Sequence, residues 1–335
     1  PMPDGDGGGY PSGSSPTAGP PAERPAFAEG VHFGPKDDPF VLAERLGKGG
    51  QGLVHVCQRL STNSKYAVKM IDCEALNFSA KHRENLHHEI RNMSELHHPR
   101  IVNLHCSFWE HGRCLLVQDL AKGGDLHNRV EGEVRETKVP PFKGLGGAEV
   151  ASKHVTRQLL DAIAYMHSRN IIHRDLKLEN VLISKTETRA GIDRHYVKIA
   201  DLGLSKFAAP KPAGRLGNAK KFTSVVGSPD FVAPEVLERS YDERADLWSL
   251  GVMVYAMMCG QWPFEIKSAE CLRPDIHKNI VAHVRVSASW ELVSEAGKGF
   301  VDGLLTVNPD ARFGIGQCTA HEWLSNEADE VSIPR

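Results

Sequence analysis

Five short motifs occur in one order along the chain, and together they constrain its fold more than any other feature. They are G-K-G-G-Q-G-L-V at 47–54, A-V-K at 67–69, H-R-D-L-K-L-E-N at 173–180, V-K-I-A-D-L-G at 197–203 and A-P-E at 233–235. Chance agreement with such an ordered set is negligible. We therefore expect one compact unit, from about Phe40 to Leu324, that brings these segments together.

The first motif is a glycine-rich loop of the type that binds phosphate groups. Glycines let a backbone turn tightly and bring its N–H groups against phosphate oxygens. A dinucleotide-binding turn shares the G-x-G-x-x-G pattern but opens a helix, whereas 53–56 continues in a strand pattern. A hairpin over phosphates is favoured, and a nucleotide-binding oxidoreductase would need a helix straight after Gly52. The candidate binding residues here are Gly47, Lys48, Gly49, Gly50, Gln51, Gly52 and Val54.

The second motif places a lysine, Lys69, in an apolar strand. Burying an ammonium there is costly unless it meets an anion. A helix is predicted nearby from the spacing of Leu86, Ile90, Met93 and Leu96, and it carries Glu89. Lys69 could therefore bridge Glu89 and nucleotide phosphates. The alternative is an ordinary strand lysine that reaches solvent.

With H-R-D-L-x-x-x-N, D-L-G and A-P-E in place, the sequence resembles the eukaryotic protein kinases over roughly 40–324. The resemblance implies an α+β, bilobal fold with a β-rich N-lobe (about 40–120) and an α-helical C-lobe (about 121–324). Strands are predicted at 40–46, 52–58, 65–71, 101–107 and 114–119, and mainly helices from 149.

Segments 131–147 and 207–220 are expected to be loop insertions. We expect 1–30, rich in Pro, Gly and Ser, to be a disordered leader and 325–335 to be a tail.

The resemblance implies a role for each matching residue, with ATP and Mg²⁺ as cofactors. Asp175 would orient or accept the proton of a substrate hydroxyl, and Lys177 would neutralise charge on the phosphoryl group. Asn180 and Asp201 would hold Mg²⁺. The alternative is a catalytically silent scaffold, against which the intact residue set argues.

Other positions match the nucleotide pocket of the family. Val54, Ala67 and Leu182 would enclose the adenine ring, with Gln118 as gatekeeper. The hinge would be 119–121, including Asp119 and Ala121. Asp125 would contact the ribose or a basic substrate residue.

Lys177 and Ser228 follow the serine/threonine pattern rather than the tyrosine pattern, and the chain looks most like the calcium/calmodulin-dependent-kinase-like group. The expected partners are protein substrates with Ser or Thr acceptors. Asp125 and Glu179 favour basic residues upstream of the acceptor, whereas Ala256 stands where some basophilic relatives have Glu. Arg174 suggests activation-loop phosphorylation at Ser224, with Thr223 beside it, by an upstream kinase or by the chain itself.

Composition excludes several other partners. Lys+Arg is 40 against Asp+Glu 42, so the net charge of -2 provides no basic field for nucleic acid or a membrane surface. The apolar run 250–259 is about half of the roughly 20 residues that a membrane span needs. The 7 cysteines form no C-x-x-C pair, which favours reduced thiols in the cytosol or nucleus. No D-x-D-x-D-G loop is present, so we expect no calcium site in the chain itself.

Overall fold

The structure, a computed structural model, describes residues 28–49, 52–74, 78–137, 145, 149–207, 222–282 and 287–325. Its strands are β1 (His32–Phe33), β2 (Phe40–Gly49), β3 (Gly52–Arg59), β4 (Lys65–Asp72), β5 (Leu104–Glu110), β6 (Arg113–Gln118), β7 (Ile171–Ile172), β8 (Val181–Arg189), β9 (Ile192–Ile199) and β10 (Lys206–Phe207). Its helices are α1 (Ala80–Glu95), α2 (Leu126–Thr137), α3 (Glu149–Ser168), α4 (Pro234–Leu237), α5 (Arg244–Cys259), α6 (Pro274–Ile280), α7 (Ala288–Glu291), α8 (Glu295–Leu304), α9 (Ile315–Ala320) and α10 (Glu322–Ser325).

The first lobe is built on a six-stranded antiparallel sheet in the order β1-β2-β3-β4-β6-β5. Short apolar runs separated by polar turns produce the strands, as the sequence predicts. The strand expected at 101–107 is wrong at its start, because β5 begins only at Leu104. Ile101 instead forms a bridge to Ile199 of β9, and the backbone N–H of Val102 donates to the Ile199 carbonyl at 2.8 Å. This short segment therefore connects the two lobes.

Helix α1 crosses the sheet as its apolar spacing predicts. Ser79 caps its first turn and accepts a hydrogen bond from the backbone N–H of His82. Its buried face carries Leu86, Glu89, Asn92 and Met93, two of which are polar. Glu89 therefore faces the strand that carries Lys69.

The second lobe is organised around α5, which is buried along nearly its whole length. Trp248, Tyr255 and Phe300 are among the largest fully buried side chains of its core. Arg312 donates to both carboxylate oxygens of Glu235, the glutamate of the A-P-E motif, at 2.6 and 2.9 Å. Both partners are buried, so removing either one leaves an uncompensated charge in the core.

The second lobe is mainly helical from 149, as expected, and it also contains a long antiparallel hairpin that was not predicted, formed by β8 and β9 between Val181 and Ile199. One expectation for this lobe is wrong. Segment 131–147 does not begin as a loop, because α2 continues to Thr137. The Glu, Val and Arg residues at the start of this segment are compatible with a helix, although Gly132 lowers the helix propensity. Several parts of these expectations lie outside the described residues: 138–144 and 146–147 of that segment, 208–220 of the insertion 207–220, 1–27 of the leader 1–30 and 326–335 of the tail 325–335.

Within the described part of the chain, no helix combines the length and the apolar character that crossing a membrane requires.

Candidate active site

Lys69, Glu89 and Asp201 meet at the boundary between the two lobes. The Lys69 ammonium lies 2.8 Å from Glu89 Oε1 and 3.0 Å from Asp201 Oδ1. Burial alone would lower the pKa of Lys69, but the two carboxylates outweigh it and hold that pKa above its ordinary value. Burial alone would raise the pKa of Asp201, but Lys69 outweighs it and lowers that pKa. Lys69 and Asp201 are therefore charged at neutral pH, and Lys69 is not a solvent-directed strand lysine. Burial raises the pKa of Glu89, and the Lys69 ammonium opposes this shift.

Asp175 stands in a second polar cluster on the loop between β7 and β8. Its Oδ1 accepts a hydrogen bond from the Ser228 hydroxyl at 3.0 Å, and its Oδ2 lies 3.1 Å from the Lys177 ammonium. Lys177 also donates to Ser228 at 2.8 Å. Asn180 donates through its side-chain amide to the Asp175 carbonyl at 2.8 Å and to its Oδ2 at 3.2 Å. The carboxylate of Asp175 is thus fixed from three sides.

The buried carboxylate of Asp246 on α5 holds the backbone of this loop in place. It accepts from the N–H groups of His173 and Arg174 at 3.0 and 2.9 Å, and from the His167 ring at 2.8 Å. Arg174 adopts a left-handed backbone conformation with φ 69°, which is strained for a side chain of this size. The Asp246 contacts explain how the loop tolerates that strain.

Asn180 and Asp201 supply oxygen atoms of the kind that Mg²⁺ prefers. Asn180 uses its amide nitrogen toward Asp175, which leaves its carbonyl oxygen for a cation. Asp201 uses Oδ1 toward Lys69 and the Gly203 N–H, which leaves Oδ2. No group of three or more His, Cys, Asp or Glu side chains that could hold a metal occurs among the described residues. A pair of oxygen ligands fits a Mg²⁺ that takes its other ligands from phosphates and water.

Two of the residues predicted to enclose adenine, Val54 and Ala67, lie on neighbouring strands next to Lys69. Val54 pairs with Lys69 across β3 and β4, and Ala67 pairs with Gln118 across β4 and β6. The Gln118 side chain turns inward and donates to Met93 Sδ at 3.7 Å, as a residue at the back of a pocket would. Leu182 forms a backbone bridge to Asp125, and its place beside adenine stays a prediction.

Two predicted nucleotide contacts have other partners in the structure. The backbone N–H of Asp119 donates to the Asn103 carbonyl, and its carboxylate binds Asn103, His105 and Lys198. The Asp119 carbonyl is therefore the group it can still offer to adenine. Both carboxylate oxygens of Asp125 accept from Asn128 at the start of α2, at 2.7 and 2.6 Å. A contact of Asp125 or Ala121 with nucleotide or substrate stays a prediction.

The glycine-rich segment forms the tip of the β2–β3 hairpin, where Lys48 pairs with Leu53 and Gly49 with Gly52. The strand that follows Gly52 excludes the dinucleotide-binding turn. Gly50 and Gln51 lie outside the described residues.

The comparisons with known proteins agree with this geometry. The family model of the protein kinase domain matches residues 40–324. This chain belongs to the protein kinase family. A calcium-dependent protein kinase from Arabidopsis thaliana, numbered 10, is 31% identical over 298 residues, covering 89% of this chain and 50% of that protein.

Two further relatives are also named as protein kinases. The delta subunit of calcium/calmodulin-dependent protein kinase type II from Oryctolagus cuniculus is 31% identical and covers 88% of this chain and 51% of that protein. A probable myosin light chain kinase from Dictyostelium discoideum is 32% identical over 311 residues and covers 92% of this chain and 81% of that protein. The kinase chain spans about half the length of the calcium-dependent kinases it matches. The expected resemblance to the calcium/calmodulin-dependent-kinase-like group is confirmed at this level.

Ser224 of the kinase lies against the arginine that precedes Asp175. Arg174 donates to the Ser224 hydroxyl at 3.0 Å, to the Tyr241 hydroxyl at 3.2 Å and to the Leu204 carbonyl at 2.6 Å. Thr223 is exposed. The structure therefore brings Ser224 next to a guanidinium, and phosphorylation of either residue stays a prediction.

Sequence reasoning missed several residues that support the site. Lys198 and Asn103 fix Asp119, and His167 completes the contacts of Asp246. Asn92 of α1 reaches Ser205, which follows the D-L-G motif. No local pattern marks these residues, because each partner comes from a distant part of the chain.

Proposed function

We propose that this kinase chain transfers the γ-phosphoryl group of ATP to Ser and Thr hydroxyls of protein substrates. The single observation that carries the proposal is the fixed cluster of Asp175, Lys177 and Ser228 beside the Lys69–Glu89–Asp201 set. It provides a carboxylate for a hydroxyl and cations for phosphate oxygens in one cleft. The full set of charged residues favours this function over a silent scaffold.

In this proposal each residue acts through its position and charge. Asp175 accepts the proton of the attacking hydroxyl at a carboxylate oxygen, while Ser228 and Asn180 fix the orientation of that carboxylate. Lys177 stands beside the transferring group and offsets its negative charge, and Lys69 binds ATP phosphates. Asn180 and Asp201 would hold Mg²⁺, which when bound neutralises phosphate charge.

The decisive test is phosphate transfer from Mg-ATP to a degenerate Ser/Thr/Tyr peptide library. Wild type should label Ser and Thr, and Asp175→Asn should lower the rate at least about 100-fold, as loss of a general base does. Retained ATP binding in the variant is the control for folding. Transfer to Tyr alone, or no transfer by wild type that binds ATP and carries phosphate on Ser224, would contradict the proposal.

The same library tests the expected preference for basic residues upstream of the acceptor. Glu179 is exposed on the catalytic loop, so its carboxylate is available to a cationic side chain. Ala256, in contrast, lines a pocket with Trp262 and Leu178 and offers no charge. We therefore expect a moderate enrichment of Arg or Lys that Glu179→Gln weakens.

Regulation through Ser224 is the second part of the proposal. A phosphate there would meet the Arg174 guanidinium, now hydrogen-bonded to the Ser224 hydroxyl, and would order the segment before Ser228. Phosphorylated wild type should be faster than Ser224→Ala by on the order of tenfold, with Thr223→Ala as the matched control. Equal rates for Ser224→Ala and phosphorylated wild type would reject this role. The upstream agent is either another kinase or the chain itself, which incubation with Mg-ATP alone distinguishes.

The relatives named as calcium-dependent make calcium control a separate question. We expect the chain to hold no calcium site of its own, so its rate should be equal in Ca²⁺ and in a calcium chelator. A rate that rises with Ca²⁺ in the purified chain would contradict this expectation.

A further inference from the structure

The buried face of α1 carries an amide, Asn92, at a position where an apolar side chain would pack more cheaply. Asn92 is 0% exposed and lies three residues after Glu89, on the same side of the helix. Its side-chain nitrogen donates to the Ser205 hydroxyl at 2.7 Å and to the Ser205 carbonyl at 3.3 Å. The helix is thus bonded to a residue 113 positions later in the chain.

Ser205 transmits this contact to the D-L-G segment. Its hydroxyl donates to the Leu202 carbonyl at 2.6 Å, and its backbone N–H donates to the same carbonyl at 3.0 Å. Leu202 is adjacent to Asp201, whose backbone has the uncommon φ of 57°. The Ser205 bonds therefore fix the turn that orients Asp201.

These contacts close a ring. Lys69 binds Glu89 at 2.8 Å, and α1 connects Glu89 to Asn92. Asn92 binds Ser205, the turn connects Ser205 to Asp201, and Asp201 returns to Lys69 at 3.0 Å. A displacement of α1 would break the Lys69–Glu89 contact and the Asn92–Ser205 contact together.

The cost of the amide argues that it does more than fill space. The side-chain oxygen of Asn92 is buried and has no hydrogen-bond partner among the residues that the structure describes. A buried acceptor without a partner destabilises the folded state, whereas an apolar pair of similar shape would not. What the amide adds is a directional bond between the helix and the turn.

We infer that Asn92 and Ser205 are positioning residues for phosphoryl transfer, which hold Glu89 on α1 and Asp201 in register around Lys69. The inference rests on the proposed function of the Lys69–Glu89–Asp201 set. Asn92 is fully buried, so it acts through Glu89 and not by contact with nucleotide or substrate.

The test compares wild type, Asn92→Leu, Ser205→Ala, Glu89→Gln and the two double variants that combine Asn92→Leu with each of the others. Asn92→Leu should lower kcat about fivefold, the factor that one neutral hydrogen bond is worth, while Tm stays equal or rises. In the Glu89→Gln background, Asn92→Leu should alter kcat less than twofold. The double variant Asn92→Leu with Ser205→Ala should have the same kcat as either single variant. Ser94→Ala, on the exposed face of α1, is the control.

Equal factors for Asn92→Leu in both backgrounds, or a loss of kcat that follows a loss of Tm, would overturn the inference, because a purely structural role gives these results. Amide hydrogen exchange provides a readout without activity. Exchange in α1 and at 202–207 should be faster in Asn92→Leu than in wild type, and unchanged exchange would also overturn the inference. A wild-type chain that transfers no phosphate would reject the proposed function, and exchange would then decide this inference alone.

Discussion

At the scale of single residues, Lys69 and Glu89 form an ion pair in the core, although burying two charges costs free energy of desolvation. Both are buried, so each alone would be an uncompensated charge, and together they form a 2.8 Å ion pair. Asp201 adds a second negative group at the edge of the cleft. The two carboxylates of Glu89 and Asp201 outnumber the one ammonium of Lys69, so the net charge at this point favours the binding of a cation. That charge balance is what a site for Mg-bound phosphates requires.

A different buried group, His277 on α6, should make the stability of the molecule depend on pH. It is 1% exposed, and burial lowers its pKa to about 4, although Glu235 opposes the shift. The folded state therefore keeps His277 neutral, while the unfolded chain takes up a proton below about pH 6.5. The stability it contributes is complete above pH 6.5 and is lost as the pH falls toward 4. Between pH 7 and 5 we expect a loss of about 2 kcal/mol from this residue.

Urea unfolding of wild type and His277→Leu at pH 7 and pH 5 measures this contribution. The difference between the two pH values should be smaller in the variant. Ser94→Ala, on the exposed face of α1, changes no titrating group and is the control. An equal pH dependence in wild type and His277→Leu would show that the imidazole is not responsible.

At the scale of elements, the sequence predicts structure wherever a local pattern is strong. The strands β2 to β4 and the helix α1 follow from alternating and helical apolar spacing, and the motifs fix Asp175 and Asp201 on loops. The β8–β9 hairpin was missed although a signal exists. Ala190 and Gly191 have φ of 51° and 76°, which makes a two-residue turn; Gly191 between alternating residues is the signal, whereas Ala190 is not a residue that usually marks such a turn.

Other parts of the site could not be predicted from local patterns. Nothing around Asn92 shows that its amide faces Ser205, because the contact depends on how α1 packs against the second lobe. The same holds for Asp119 and Lys198, which lie on different lobes and meet only in the folded molecule. A motif identifies the reactive residues, whereas their supports depend on tertiary packing.

The β2–β3 hairpin allows a direct test of why glycine occurs at one of its positions. A Cβ at Gly52 would lie 2.0 Å from the Met70 carbonyl oxygen, which belongs to the backbone of β4 and cannot move away cheaply. A Cβ at Gly47 would meet nothing within 4 Å. Gly52→Ala should therefore lower the free energy of unfolding by about 1–3 kcal/mol and raise the KM for ATP.

Gly47→Ala is the matched control, and its free energy of unfolding should stay within about 0.5 kcal/mol of wild type. Chemical denaturation of the two variants under identical conditions provides the comparison. Equal destabilisation by both changes would mean that glycine flexibility, rather than the close approach of β4, governs this hairpin.

For the whole molecule, directional contacts join the two lobes. The Ile199 N–H donates to the Arg100 carbonyl at 2.8 Å, Lys198 binds Asp119 at 2.9 Å, and Lys69 binds Asp201 at 3.0 Å. These contacts line the back and the inside of the cleft. A ligand that binds residues of both lobes should therefore stabilise the molecule as one unit.

Thermal unfolding with Mg²⁺ and ATP tests this coupling. At ATP concentrations about 100 times the Kd, binding adds about 2.7 kcal/mol to the folded state, which should raise Tm by about 4 °C in a chain of this size. A metal chelator should remove most of the rise in Tm. Asn180 and Asp201 offer only oxygen atoms, so they can hold the phosphates only through a bound cation, and without it Lys69 alone must hold them. Asp201→Asn should give a small rise with or without Mg²⁺. A full rise in the chelator would mean that the nucleotide binds without the metal, and that Asp201 acts only as the partner of Lys69.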